Sequence, residues 1–375
     1  MNNRGKIRYV FVSSHTSQGF YTFIPELVNG VGKVYILKGA PGSGKSTFIR
    51  LLGEVMSQQG YDVEFWVSAL DPVTPDGVYI AHFNTAIING SLPQPIDPKY
   101  PGVREIIINL GEYWDQAIIE QRQTQIIEQV DQTDKFHSQV VEILKEASRV
   151  KAEIRKANAA HLNMEKIEQL IRRLSLEIME NRPGEKHYFA GVITGDGLVD
   201  YINELSADCK KRYIFKGPSG SGKSTVINEL AREAKRKGYF LEYYHCGLEV
   251  EYLVMVVIRN LQLALIEVGH AEVALKTGDI VVDMTLYIDS YDSDQIAVQS
   301  SEAYRHLETL LLQAQQELDN SYHANREIKK IFASAMDFER LDNKRLEIAE
   351  EILNSESVSQ RVRQRESRDS SATHP

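Results

Sequence analysis

Two cysteines, two tryptophans and no long apolar run mark this chain of 375 residues, and each scarcity excludes something. Cys209 and Cys246 are too few for a disulfide framework and lack the C-x-x-C spacing of a zinc site, so a reducing cytoplasm is expected. The longest apolar run, Tyr252 to Ile258, is far too short to span a bilayer. The basic start, Met1 to Lys6, is followed only by Tyr9 to Val12, so neither a signal peptide nor a membrane partner is expected. A basic excess is missing as well. With a net charge of −9 and Lys and Arg mixed among acids, nucleic acid is not indicated as a partner.

What the chain does have is a glycine-rich octapeptide, twice. Gly39-Ala40-Pro41-Gly42-Ser43-Gly44-Lys45-Ser46 and Gly217-Pro218-Ser219-Gly220-Ser221-Gly222-Lys223-Ser224 both satisfy G-x-x-x-x-G-K-[ST]. The pattern suits a polyphosphate: glycines let successive N–H groups turn inward, the lysine reaches the terminal phosphates, and the serine hydroxyl joins a magnesium shell. Lys45 and Lys223 are therefore candidate catalytic cations and Ser46 and Ser224 candidate metal ligands. The loop residues, with Thr47 and Thr225, are candidate contacts to ATP. Context agrees in both places. Val34 to Lys38 and Arg212 to Lys216 read as strands entering the loops. Helical spacing follows, ending at Gly60 and Gly238.

Sliding the chain against itself by 178 residues keeps 8–90 in register with 186–268, and 27 of those 83 positions are identical. That is several-fold more than unrelated segments share, so the halves are a duplication. Phe11 pairs with Phe189, Thr16 with Thr194 and Gly19 with Gly197. Thr16, Gly19 and Phe20 admit a base-pocket reading, but turn geometry accounts for the glycine and is preferred. Strands alternating with short helical connections predict a parallel sheet covered on both faces.

The halves differ where a nucleotide hydrolase places an acid at a strand end. Thr85 to Ile88 ends in Asn89, its counterpart Leu263 to Ile266 in Glu267. With a small gap, Glu105 to Asn109 aligns with Asp279 to Asp283, again amide against acid. An amide can neither act as a base nor supply a full charge to a metal. Glu267 and Asp283 are thus candidate catalytic acids, and the second half is the expected site of turnover. The proline-rich stretch Ser91 to Gly102 reads as an ordered or lid-like loop, with Asp97, Lys99 and Arg104 as candidate ligands or, more simply, solvated groups.

From about 115 to 181 and from about 301 to 353 the pattern is helical, as hairpins beside each core. These segments offer a surface to a protein partner. Lys151, Arg155, Arg172 and Arg173 are the basic residues that a lid or finger would use, though most are expected to be solvated. Residues 354–375 carry almost no apolar side chain and are expected to be disordered.

On Arg8 to Ser46, Asp97 to Gly102 with Ile108 to Trp114, and Lys186 to Ser224, the chain resembles the uncharacterised bacterial tandem P-loop proteins, usually labelled predicted ATPases or nucleotide-kinase-like. The resemblance implies an α/β fold with two tandem P-loop NTPase domains. These would occupy 1–184 and 185–353, each a parallel sheet with its own helical hairpin; the duplicated strand order itself predicts two cores related by a simple rotation rather than one continuous sheet. The resemblance also implies a cytoplasmic ATP binder. Family members commonly carry aspartate where Asn89 stands, a departure that puts hydrolysis in the first half in doubt. Three classes stay open: a Mg²⁺-dependent ATPase, a nucleotide or small-molecule kinase, and a nucleotide-gated binding protein. No L-S-G-G-Q signature supports a transporter ATPase, and the lack of N-K-x-D favours adenine over guanine.

Overall fold

A computed structural model describes residues 4–175, 184–268, 273–288 and 293–371. The first half supplies β1 (Ile7–Phe11), β2 (Ser13–Thr16), β3 (Gly19–Thr22), α1 (Ile24–Leu27), β4 (Lys33–Lys38), α2 (Lys45–Gln58), β5 (Val63–Val67), β6 (Pro75–Ile80), β7 (Thr85–Asn89) and β8 (Glu105–Asn109). An arm of α3 (Gln116–Gln121), α4 (Gln123–Ala159) and α5 (Met164–Ser175) follows. The second half repeats the order with β9 (Gly184–Phe189), β10 (Gly191–Thr194), β11 (Gly197–Asp200), α6 (Ile202–Leu205), β12 (Lys211–Lys216), α7 (Lys223–Arg236), β13 (Phe240–His245), β14 (Leu253–Ile258), β15 (Leu263–Val268) and β16 (Ile280–Asp283). Its arm is α8 (Ser293–Ala335) and α9 (Phe338–Ser371).

The fold is α/β, but the sheet is neither parallel nor divided. Twelve strands form one mixed sheet in the order β16-β12-β15-β14-β13-β9-β1-β5-β6-β7-β4-β8. Under the 178-residue offset that order is a palindrome about the β9–β1 boundary. The two strands meet antiparallel through Phe11 and Phe189, which are equivalent residues, so a local twofold axis passes between them. The expectation of two separate sheets is thus corrected. The parallel expectation fails at β6 and β14, which run antiparallel to both neighbours. Only four residues join each to the next strand, a short helical turn (Ala81–Phe83 or Arg259–Leu261) closed at positive φ by Asn84 or Gln262, too short for a crossover.

Adjacent residues of the central strands are both apolar because both sheet faces are covered. Val34 and Ile36 join a core that runs across both halves with Val10, Trp66, Tyr188, Tyr244 and Ile266. On the opposite face, Tyr35 and Leu37 pack with Phe48, Ile49 and Leu52 of α2. Here the helices depart from expectation. The helices completing that first-half core are the second half's: Leu341, Ile348, Ala349 and Ile352 of α9 pack on α2. Reciprocally, Ile167, Leu170 and Leu174 of α5 complete the second-half core against Val226, Ile227 and Leu230 of α7.

The arms are exchanged rather than packed beside their own sheets. Helices α4 and α8 run antiparallel between the halves. Asp115, before α3, donates its N–H to the Ala335 carbonyl at 2.8 Å, and Asn163, after α4, donates to Tyr287 at 2.8 Å. Val140, Leu144, Ala147 and Ile154 bury against Leu307, Leu310, Ala314 and Leu318. Most of the apolar surface expected to meet a partner is therefore used inside the chain. Helix α9 continues to Ser371, through most of the segment expected to be disordered, where Glu, Gln and Arg are adequate helix formers. The expected helix stop at Pro183, the arm residues 176–181 and the last residues of the tail lie outside the described residues.

Candidate nucleotide site

Each glycine-rich loop leaves the end of a central strand and enters a helix, β4 to α2 and β12 to α7. Gly42, Gly44, Gly220 and Gly222 have φ between +85° and +90°, a conformation only glycine adopts without strain. The lysines behave alike. Lys45 Nζ donates to the carbonyls of Gly39 (2.7 Å) and Ala40 (2.8 Å), and Lys223 Nζ to those of Gly217 (2.8 Å) and Pro218 (2.7 Å). Burial lowers both ammonium pKa values, Lys45 to about 8, although Asp76 and Glu267 respectively oppose the shift. A buried ammonium bonded to main-chain carbonyls is poised for an anion. The Ser43 and Ser221 hydroxyls, fully buried within the loops, have no hydrogen-bond partner among the described residues. Ser46 and Ser224 begin the helices beside the lysines, and Thr47 and Thr225 are exposed on the first turns.

The acids separate the halves as the sequence suggests at one position and not at the other. Glu267 lies on β15, directly beside β12. Its Oε2 accepts from Ser224 Oγ at 3.0 Å, and its Oε1 stands 3.6 Å from Lys223 Nζ. Asp283 does something else. It is exposed and caps the turn after β16, accepting from the Thr285 N–H at 3.0 Å and the Thr285 hydroxyl at 2.6 Å. Asn109 caps the equivalent turn through Gly111, so the amide and the acid fill the same local role.

The first half is not without a carboxylate. Asp76 on β6 is buried and accepts from Asn89 Nδ2 at 2.9 Å, and its field acts on Lys45. Desolvation raises its pKa, against the hydrogen bonds from Asn89 and Ser68 and the fields of Lys45 and Lys329. Reading strand ends alone misses this residue. The offset alignment holds the signal: Asp76 and Asn89 correspond to Val254 and Glu267, so the acid has moved from one strand to its neighbour.

The exchanged arms lie across the loops. A Cβ on Gly42 would come within 2.3 Å of the Lys329 carbonyl oxygen on α8, and one on Gly220 within 2.5 Å of the Arg155 carbonyl oxygen on α4. Asn158 donates to the Ser219 carbonyl, and the Ser219 N–H meets the Tyr304 hydroxyl at 3.3 Å. Arg155 and Lys151 grip Glu249 at 2.6 and 3.0 Å, and Lys329 approaches the equivalent acid, Asp71, at 4.0 Å. Burial works against the Lys151 charge, but Cys246 and Glu249 outweigh it and raise its pKa. Of the four basic residues singled out, Lys151 and Arg155 thus stand at the second loop, whereas Arg172 and Arg173 are exposed on α5.

No family model, curated protein or solved structure matches the chain. The remaining candidates are structural. Thr16 Oγ1 donates to the Gly19 carbonyl at 2.9 Å, and Thr194 repeats this with Gly197 at 3.0 Å, so both pairs close hairpin turns. Asp97 pairs with Lys38 at 2.7 Å, and Lys99 and Arg104 lie over the Tyr100 ring. Among the described residues no group of three or more His, Cys, Asp and Glu is placed to hold a metal, and no helix is long and apolar enough to cross a membrane.

Proposed function

We propose that the chain is an ATP-binding protein of two tandem P-loop NTPase domains, and that its second site is a Mg²⁺-dependent ATPase. One observation carries the reading: a glycine cradle at a helix N-terminus with the Glu267 carboxylate 3.0 Å from the Ser224 hydroxyl and 3.6 Å from the Lys223 ammonium. The cradle and helix end favour phosphate oxygens. Ser224, with Glu267 behind it, suits a hard cation that prefers oxygen ligands, and Ser46 is its counterpart in the first site. Bound Mg²⁺ would neutralise charge on the phosphates. Glu267 orients or deprotonates the attacking water, and Lys223 meets the terminal phosphate.

The first site has the same cradle, but its acid, Asp76, is buried and bonded to Asn89, an arrangement better suited to binding than to turnover. The two unpaired cysteines fit a reducing cytoplasm. Calorimetry with ATP and Mg²⁺, paired with a phosphate-release assay, tests the proposal. Glu267→Gln should keep ATP affinity within about threefold and lower phosphate release at least about tenfold. Equal release by Glu267→Gln and the parent chain would overturn the assignment.

A second reading, phosphotransfer to a small molecule, is favoured by a cavity of about 540 Å³ that opens beside Gly217, Ser219, Lys223 and Glu267. ADP formation that depends on an added acceptor would select it over hydrolysis.

A further inference from the structure

The cavity beside the second glycine-rich loop has a composition that narrows its occupant. At its inner end stand Lys223 and Glu267 of the loop region, Cys246 at the bulge ending β13, and Lys151, which reaches in from the first half's α4. Away from that end the walls are mainly apolar, interrupted by Asp200, Tyr304, Glu308 and Gln315. Ile193 and Leu198 come from the β10–β11 hairpin, Leu248 from the turn after β13, and Leu307, Leu311 and Leu312 from α8. Leu198 and Leu312 are 56% and 59% exposed, so these apolar side chains mark where the lining meets water. At about 540 Å³ the space falls within the range of small-molecule sites, and it is bounded by elements of both halves.

We infer that this cavity binds a small apolar alcohol, its hydroxyl at the Lys223–Glu267 end and its hydrocarbon body along the leucine walls. The class of head group follows from the charges. An anionic head would meet the Glu267 carboxylate and an ammonium head the two lysines, whereas a hydroxyl donates to the carboxylate and accepts from an ammonium. The class of body follows from the walls, which are apolar over most of their area, so a hydrocarbon body gains contact along Ile193, Leu198, Leu248, Leu307, Leu311 and Leu312 that a polyol does not. The inference names the acceptor for the phosphotransfer reading and rests on that reading only for what is done to the alcohol. Binding itself needs no nucleotide.

The test uses the full chain without nucleotide and the uncharged probe N-phenyl-1-naphthylamine, read by fluorescence, with 1-decanol and glycerol as competitors. Saturable probe binding that 1-decanol displaces and glycerol does not is the expected result. Leu198→Asp and Leu312→Asp, both at exposed positions that leave the fold alone, should weaken 1-decanol at least tenfold. Leu275→Asp, equally exposed at 56% and away from the cavity, should leave it unchanged. Failure of 1-decanol to compete, or an equal effect of Leu275→Asp, overturns the inference. A separate titration with ATP and Mg²⁺ keeps the two claims apart: loss of nucleotide binding with intact 1-decanol binding would sink the P-loop assignment and leave the cavity assignment standing.

Discussion

Exchange of the helical arms predicts that a cavity cut into one half's sequence weakens the other half's core. Ile167, on α5 of the first half, is fully buried among Phe215, Val226 and Leu230 of the second. Truncating it to alanine removes buried methyl and methylene groups from a closed site, which costs about 2–5 kcal/mol. A value of about 3 kcal/mol suits a residue on a helix whose neighbours, Leu170 and Leu174, keep it docked. Amide exchange reads such losses locally. Since about 1.4 kcal/mol is a factor of ten, protection of α7, β12 and β15 should fall about a hundredfold in Ile167→Ala, while α2, β4 and β7 keep theirs. The reciprocal variant, Ile348→Ala on α9, should expose α2 and β4 instead, because Ile348 is buried against the first-half core. If Ile167→Ala weakened α2 and β4, or both halves equally, the exchange would be refuted.

Three other outcomes are expected. Arg8 joins equivalent acids across the axis, 3.0 Å from Glu64 and 2.8 Å from Glu242, so Arg8→Met should cost about 3 kcal/mol in urea denaturation, at the low end because Arg259 still holds Glu242 at 2.8 Å; a loss under about 1 kcal/mol would contradict this. Burial resists the Glu242 charge, but Arg8 and Arg259 outweigh it and lower its pKa, so its contribution is present above about pH 4.5 and fades below; the gap between Arg8→Met and the parent should therefore shrink in acid. His15, buried with neither ring nitrogen hydrogen-bonded among the described residues, has its pKa pushed down to about 3, by burial first and His137 second. A histidine with a lowered folded pKa stabilises fully above about pH 6.5, so stability should fall by about 1 kcal/mol per unit as pH drops below that, and His15→Phe should flatten the slope of a denaturation series across pH.

Strand–loop–helix order around both octapeptides was legible because local chemistry dictates it: β-branched runs, glycines at positive φ, and an apolar stripe such as Phe48, Ile49 and Leu52. Glu267 was legible because a strand end beside the loop strand is where an acid can reach Ser224. Partner choice was not. The stripe on α9 fits either core equally well by periodicity, and only the length and antiparallel pairing of α4 and α8 carry it across to α2. The direction of β6 was hidden in its four-residue turn, and the single sheet in one pair, Phe11 with Phe189, that no local pattern announces. Asp283 misled because a capping acid and a metal-side acid look the same at a strand end, until Thr285 is seen to take its oxygen.

Phe11 facing its own equivalent at the centre of the sheet is the contact that two identical subunits make at a dyad. In a true homodimer, one gene writes both sides, so every substitution is made twice. Here each side is written separately. That freedom lets a carboxylate occupy β6 on one side and β15 on the other, and sets Lys151 against Cys246 where the first half has Ser68. Symmetry supplies the scaffold, and a single polypeptide is what permits its two glycine-rich cradles to diverge.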